Sequence, residues 1–335
     1  MGFKRSVKYH AAALFHETGV LKRLCRAAAA NGALVLAYHR VLPSLADEKH
    51  YIQPGMYVSV DSFEKHLDCL RTRFNVIPLA ELRRRLSDGE DISGCCCLTF
   101  DDGWLDNYRY AFAVLEKYQL PATVFLATGF VGSERLFWPD ELAFFLAGMT
   151  VEELVRKTPE LAEPLKRSGH RPQRPVPLDE VIELLKTWPQ DDRERFLAVL
   201  RRDGGAAYPE RLLMSWDEVR SMQASGLVDF GSHTQNHVLL DQASVPEVER
   251  ELEQSRRDIH DQLGVETDLF AYPNGNYTPA HLSALTRAGY RAAVTTRKGW
   301  VSRRDNPYEI SRICMHEDVS HTIPLFLSRL HFRGF

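Results

Sequence analysis

Two stretches carry side chains whose types and spacing could do chemistry together. In TFDDG, residues 99–103, an apolar run ends in two adjacent carboxylates, Asp101 and Asp102. Like charges repel, and desolvating them at the end of a core strand is costly. Asp and Gly also suit an ordinary turn, so the pair reads either as a turn or as a site built at a strand tip. In HTQNH, residues 233–237, two histidines stand four apart near the end of another strand-like run. Two imidazoles and a carboxylate can form a three-ligand metal site with one position open for water. Satisfied surface histidines account for the spacing equally well. In a parallel sheet or barrel, the carboxyl ends of strands are where ligands bind.

Those tips need a scaffold that gathers them. GALVLAYHRV (32–41) reads as a buried strand after the Asn31-Gly32 breaker, and CCCLTF (95–100), PATVFLATGFV (121–131), LVDFGSH, TDLFAYP and YRAAVTT read the same way. Helical patterns separate them, among them 59–74, capped by Ser59 or Asp61, and 107–120. Strands apolar throughout, alternating with helices, predict an α/β fold with a mainly parallel sheet or barrel. Residues 133–214 break the rhythm with four helix-like runs and a Pro- and Arg-rich link, and read as a helical insertion. The chain, 1–335, is thus expected to be one catalytic domain with an N-terminal helical extension over 1–30 and an insertion over 133–214.

Composition bounds the function. Of 335 residues, 44% are hydrophobic, and the formal net charge is -3, which offers no global positive field for nucleic acid. There is no GxGxxG and no Walker loop, which argues against dinucleotide and ATP chemistry. The six cysteines are Cys25, Cys69, Cys95, Cys96, Cys97 and Cys314. Neighbours in a strand point to opposite faces, so the consecutive three predict buried free thiols in a reducing compartment rather than a disulfide framework. No run approaches 18 apolar residues, and His16, Glu17, Lys22 and Arg23 interrupt any signal-type core. The expected location is cytoplasmic. A helix over 3–30 would carry Lys4, Arg5, Lys8, Lys22, Arg23 and Arg26 on its polar side. It would either pack on the protein body or rest peripherally on the inner membrane face.

Taken in order, TFDDG, HTQNH and FAYPNG (270–275) resemble the successive motifs of the polysaccharide deacetylase family, also called the NodB-homology or carbohydrate esterase 4 family. The resemblance spans about residues 32–316, with the helical segment as an extra. It implies a distorted (β/α)7-type barrel and removal of acetyl groups from sugars with a divalent metal, usually Zn²⁺. By this resemblance Asp101 matches the catalytic base, Asp102 the metal carboxylate, and His233 and His237 the metal histidines. The cation would hold one carboxylate ionised and keep its neighbour usable as a base. The backbone N–H of Asn274, just after Pro273, matches the oxyanion donor. Many members carry an aromatic at that position, so the wall contact is either lost here or moved to Tyr272 or Tyr277. Trp104 reads as a sugar platform or as an ordinary core residue.

Two departures from the family pattern stand out. The arginine that often precedes the proline by two residues, orienting the base, is Ala271 here, and the Asp-containing segment is replaced over 295–299. No partner for Asp101 is therefore identified. Arg297 and Lys298 are candidates by position, against a solvated charge cluster. The general acid is His316, as in members with a late histidine, or His39. His39 ends a Tyr-His strand like that of a subgroup resembling poly-N-acetylglucosamine deacetylases, and is the better match.

The expected function is a metal-dependent hydrolase that removes an N-acetyl or O-acetyl group from a polysaccharide, a lipid-linked glycan or a lipopolysaccharide intermediate. Two other readings stay open: a deformylase or other small-amide hydrolase of the same fold, and a non-catalytic carbohydrate-binding protein.

Overall fold

The computed structural model describes residues 3–45, 51–204 and 211–332. They divide into two compact units, one made of 3–45, 54–133 and 211–332, the other of 51–53 with 134–204. The larger unit holds ten short strands: β1 (Leu34–Tyr38), β2 (Arg40–Leu42), β3 (Tyr57–Ser59), β4 (Asn75–Val76), β5 (Cys95–Phe100), β6 (Ala122–Leu126), β7 (Val228–Ser232), β8 (Leu269–Ala271), β9 (Ala292–Val294) and β10 (Ile313–Cys314). β2 and β3 pair only with each other. The rest form one sheet in the order β10-β1-β5-β6-β7-β8-β9, with β4 beside the start of β5. Every strand pairing in it is parallel. One further parallel bridge, Val294 to Ile310, links β9 to the residues before β10, so the sheet curls into a distorted half-barrel.

Both faces of this sheet are largely covered, which is why its strands are apolar at most positions, Thr99, Thr123, Asp229 and Ser232 being among the exceptions. Leu34, Leu36, Cys96, Leu98 and Val124 pack outward with helical residues such as Phe63 and Leu67. Val35, Cys95, Cys97, Phe125 and Leu269 pack on the inner face. The period of two therefore splits the three consecutive cysteines between faces, all buried and all free. Opposite the inner Phe125 stands Gly231, where a Cβ would lie 2.6 Å from the phenyl ring.

The helices of this unit are α1 (Phe3–Glu17), α2 (Val20–Ala29), α3 (Val60–Arg71), α4 (Leu79–Asp88) and α5 (Phe112–Tyr118). The helix expected over 3–30 is two helices, because Gly19 takes φ 74° between them. Ser59 caps α3 by accepting the Ser62 N–H. A π turn over Asn107–Ala111 precedes α5, where one α-helix was expected. The expected strand over 32–41 breaks at His39, between β1 and β2, and that over 121–131 ends at Leu126.

In the smaller unit lie α6 (Trp138–Leu146), α7 (Val151–Lys157), α8 (Ala162–Arg167), α9 (Leu178–Lys186) and α10 (Gln190–Gly204). Leu142, Leu154, Leu161, Ile182 and Leu197 share its core. Thr150 and Glu153 form a capping box on α7, satisfying donors that would otherwise be orphaned. The larger unit then continues with α11 (Trp216–Ala224), α12 (Val245–Leu263), α13 (Pro279–Arg287), α14 (Glu317–Ser320) and α15 (Ile323–Arg329).

Candidate active site

The sheet's alternation decides where Asp101 points. Cys95 and Cys97 face inward, Thr99 continues the series, and Asp101 stands one step past the end of β5. Inside the barrel its carboxylate meets Arg312, which directly precedes β10. The guanidinium donates to both oxygens at 2.7 Å, Nη1 to Oδ1 and Nη2 to Oδ2. Arg312 is itself wholly buried, and its other donors go to Thr99 Oγ1 at 3.1 Å and the Thr295 carbonyl at 3.0 Å. Burial alone would raise the Asp101 carboxyl. The charge and hydrogen bonds of Arg312, aided by His233 and His39, overcome it and hold the group below the usual carboxylate range.

Arg312 is the partner for Asp101 that the sequence reading did not find. Its signal was a cation inside the strand-like run YEISRICMH, where an ordinary strand has no use for one. The positional candidates lie elsewhere. Arg297 donates to Ser311 Oγ and the Glu309 carbonyl, and Lys298 to the Phe332 carbonyl.

Asp102 leaves the strand with φ 78°, so its side chain turns away from that of Asp101. The Trp104 indole N–H donates to Asp102 Oδ2 at 2.9 Å. Trp104 is buried, with the Arg40 guanidinium 4.6 Å over its ring, so it orients a carboxylate and offers no open face to a sugar. The remaining oxygen, Oδ1, lies 3.5 Å from Nε2 of His233 and 3.5 Å from Nε2 of His237. One ligand atom from each of the three residues can be chosen so that all lie within 4.8 Å of one another. In a tetrahedral site with bonds of about 2.0–2.2 Å, neighbouring ligand atoms stand about 3.4 Å apart.

The imidazoles are in the state a metal needs. His233 Nδ1 lies 2.8 Å from the Ala271 carbonyl, so that nitrogen carries the proton and Nε2 keeps its lone pair. Burial lowers both rings to about 4 against the pull of Asp101, so both are neutral near pH 7. Two neutral imidazoles and a carboxylate suit Zn²⁺ or a similar divalent ion, and the residues present fit one.

His39 sits in the break between β1 and β2, its carbonyl held by Asn107 Nδ2 at 2.7 Å. Asp106 accepts the Val41 N–H and the Arg40 Nε–H, at 2.9 and 2.8 Å. The π turn that starts at Asn107 thus secures this segment. His39 Nε2 lies 3.9 Å from Asp101 Oδ2, and the side chain is 21% exposed. His316 stands at the start of α14. Burial and Arg329 lower its pKa, and among the described residues its buried Nδ1 has no hydrogen-bond partner, Asp318 Oδ2 lying 3.9 Å away.

After β8 the chain makes a tight turn. Asn274 takes φ 56°, a left-handed conformation that Asn tolerates. Its side chain donates to Asn276 Oδ1, and its N–H meets no acceptor among the described residues. The next residue must be glycine: Gly275 has φ 76°, and a Cβ there would lie 2.0 Å from Thr296 Oγ1. Tyr272 cannot supply the wall's aromatic. It is fully buried, with its hydroxyl on the Tyr308 carbonyl and its ring stacked on Tyr277 at 4.3 Å.

The sequence model for polysaccharide deacetylases matches residues 88–173 and 189–293. A curated relative, YxkH of Bacillus subtilis (strain 168), is 22% identical over 275 residues, which is 81% of this chain and 71% of that protein. Among solved structures, the Streptococcus pyogenes deacetylase PplD in complex with acetate superposes with a TM-score of 0.59 at 21% identity, covering 90% of this chain and 98% of that one. IcaB from Ammonifex degensii gives 0.57 at 24% identity, covering 89% and 97%. At these identities the two structures show a shared fold.

Proposed function

The chain belongs to the polysaccharide deacetylase family, and from that premise we propose that it removes an acetyl group, on nitrogen or oxygen, from a glycan sugar with the help of a divalent metal. Asp102, His233 and His237 would hold the metal, with Zn²⁺ the ion their donor set favours. The observation that carries this reading is the convergence of those three side chains beside a carboxylate clamped by arginine.

A metal held there would lower the pKa of a water and polarise the acyl oxygen. Asp101 accepts the proton of the attacking water. Arg312 keeps that carboxylate charged at neutral pH and fixes both of its oxygens, so it cannot swing toward Asp102. The Asn274 N–H donates to the oxygen on which charge develops. His39, partly exposed and close to Asp101, delivers the proton to the departing amine or sugar oxygen. His316 is the poorer donor, since burial and Arg329 favour its neutral form.

The substrate that suits this reading is an acetylated glycan modified before export. Free buried thiols fit a reducing cytoplasm. Among the described residues no helix is long and apolar enough to cross a membrane. Peripheral contact has support of its own: Lys8, Lys22, Arg23 and Arg26 are exposed, and so are Val7 and Leu14 on α1. The side chains of Lys4 and Arg5 lie outside the described residues. Arg312 supplies to Asp101 the partner that Ala271 does not, which leaves the acyl group itself to be tested. Acetate and formate release from N-acetyl- and N-formylhexosamine oligomers tests this. Acetate in excess supports the reading, and formate in excess favours a deformylase.

A further inference from the structure

The loop that carries both candidate metal histidines is held in an uncommon shape. Thr234 has φ 65° and His237 has φ 54°, so two non-glycine residues within four positions are left-handed. For a β-branched threonine this is a true outlier. Such a turn persists only where its surroundings over-determine it, and here the surroundings belong largely to one helix face.

On the buried side of α12, Val248, Leu252 and Ile259 are joined by two polar residues, Glu251 and Ser255. Glu251 is 2% exposed, and among the described residues it forms no ion pair. A carboxylate on such a face is costly unless hydrogen-bonded. Its two oxygens go to one residue of the loop: Oε2 accepts the Asn236 backbone N–H at 2.7 Å, and Oε1 accepts from Asn236 Nδ2 at 2.8 Å. One turn on, Ser255 Oγ lies 2.7 Å from Ser232 Oγ, which accepts the Thr234 N–H at 3.2 Å. Asp258, the next in this i, i+4, i+7 series, accepts from Thr128 Oγ1 at 2.6 Å. The Thr128 and Gly129 N–H groups in turn bond the Thr234 and Gln235 carbonyls, at 3.2 and 2.8 Å.

We propose that Glu251 is a positioning residue for the metal centre, which it serves by clamping Asn236 and thereby fixing the turn that brings His237 beside His233 and Asp102. This rests on the metal reading of those three residues. The clamp has a defined polarity. Position 251 presents two acceptors, and Asn236 presents two donors.

Zn²⁺ affinity, measured on the full chain by competition with a chromophoric chelator, tests the clamp without reference to turnover. Glu251→Gln sets an amide NH₂ against the Asn236 NH₂, and Asn236→Asp sets carboxylate against carboxylate. Each should weaken Zn²⁺ binding on the order of 10–100-fold. The double variant Glu251→Gln/Asn236→Asp restores a donor facing an acceptor and leaves the Gln carbonyl for the backbone N–H, so it should recover most of the loss. Circular dichroism and thermal melting of the metal-free proteins accompany the titrations. Where Glu251→Gln fails to fold, Asn236→Asp carries the comparison from the loop side. Wild-type protein that binds no Zn²⁺ would sink the metal reading itself. Wild type that binds, with single variants that bind equally well or a double variant no better than the weaker single, would overturn the positioning role.

Discussion

Arg312 and Asp101 stand 211 positions apart in the chain, yet a buried guanidinium and a buried carboxylate meet in two parallel hydrogen bonds of 2.7 Å. Removing one partner of such a pair leaves the other charged and unsolvated. Arg312→Ala should therefore cost about 3–5 kcal/mol of stability, read by urea denaturation. Arg312→Lys keeps the charge but not the fork. It should fold and keep its metal affinity, yet lose turnover on the order of 10²-fold as the base loses its alignment. Unchanged turnover in Arg312→Lys would show that orientation of Asp101 is not limiting.

The two candidate proton donors are separable. His39→Ala should leave metal binding intact and lower kcat on the order of 10²–10⁴-fold, with a smaller effect from His316→Ala. An inactive His316→Ala beside an active His39→Ala would assign the acid to α14 instead.

Gly275→Ala places a methyl 2.0 Å from Thr296 Oγ1 at a left-handed φ. The turn must shift, and the Asn274 N–H shifts with it. The expected result is a large fall in kcat with Zn²⁺ affinity unchanged, since no metal candidate lies in this turn. Wild-type kcat in this variant would remove Asn274 from the site.

How much of this was legible beforehand follows from which signals are local. CCCLTF and TFDDG announce a core strand and its tip within a few residues, and HTQNH does the same for the histidine pair. The break at His39 was not legible, because LVLAYHRV carries no Gly, Pro or Asn there to signal a turn. What ends the strand there is distant in sequence: Asn107 binds the His39 carbonyl and Asp106 the Val41 N–H. Arg312 was hidden for the same reason. β10 is two residues long and has no periodicity of its own, and the arginine's use appears only once β10 lies beside β1 and β5 beyond it. Ala271 pointed to a missing arginine, but sequence adjacency could not show that another strand supplies one. Glu251 reads in the sequence as one more charge on a helix rich in them.

Stability should depend on pH through His66. It is fully buried between the Tyr38 hydroxyl and the Ser320 carbonyl, and burial lowers it from 6.5 to about 4. Below pH 6.5 the unfolded chain binds a proton that the folded one does not. Stability should therefore fall as pH drops from 6.5 toward 4, with His66 contributing about 1.4 kcal/mol per pH unit. Asp101, depressed in the fold, adds a further loss once pH passes below the ordinary carboxylate range. Urea denaturation of metal-free protein across this window, compared with His66→Asn, measures the histidine share. An equal slope in the variant would contradict it.

The central claim is that Asp102, His233 and His237 hold a divalent metal on which glycan deacetylation depends. Its most direct test joins metal content to acetate release in one series. Chelator-treated protein is titrated with Zn²⁺, and bound metal and acetate freed from N-acetylglucosamine oligomers are followed together, for wild type and Asp102→Ala. The account predicts that wild type reaches full activity at one equivalent of Zn²⁺. Asp102→Ala should bind weakly and release no acetate at that equivalent. Acetate release from metal-free wild type, or an active Asp102→Ala variant, would contradict it.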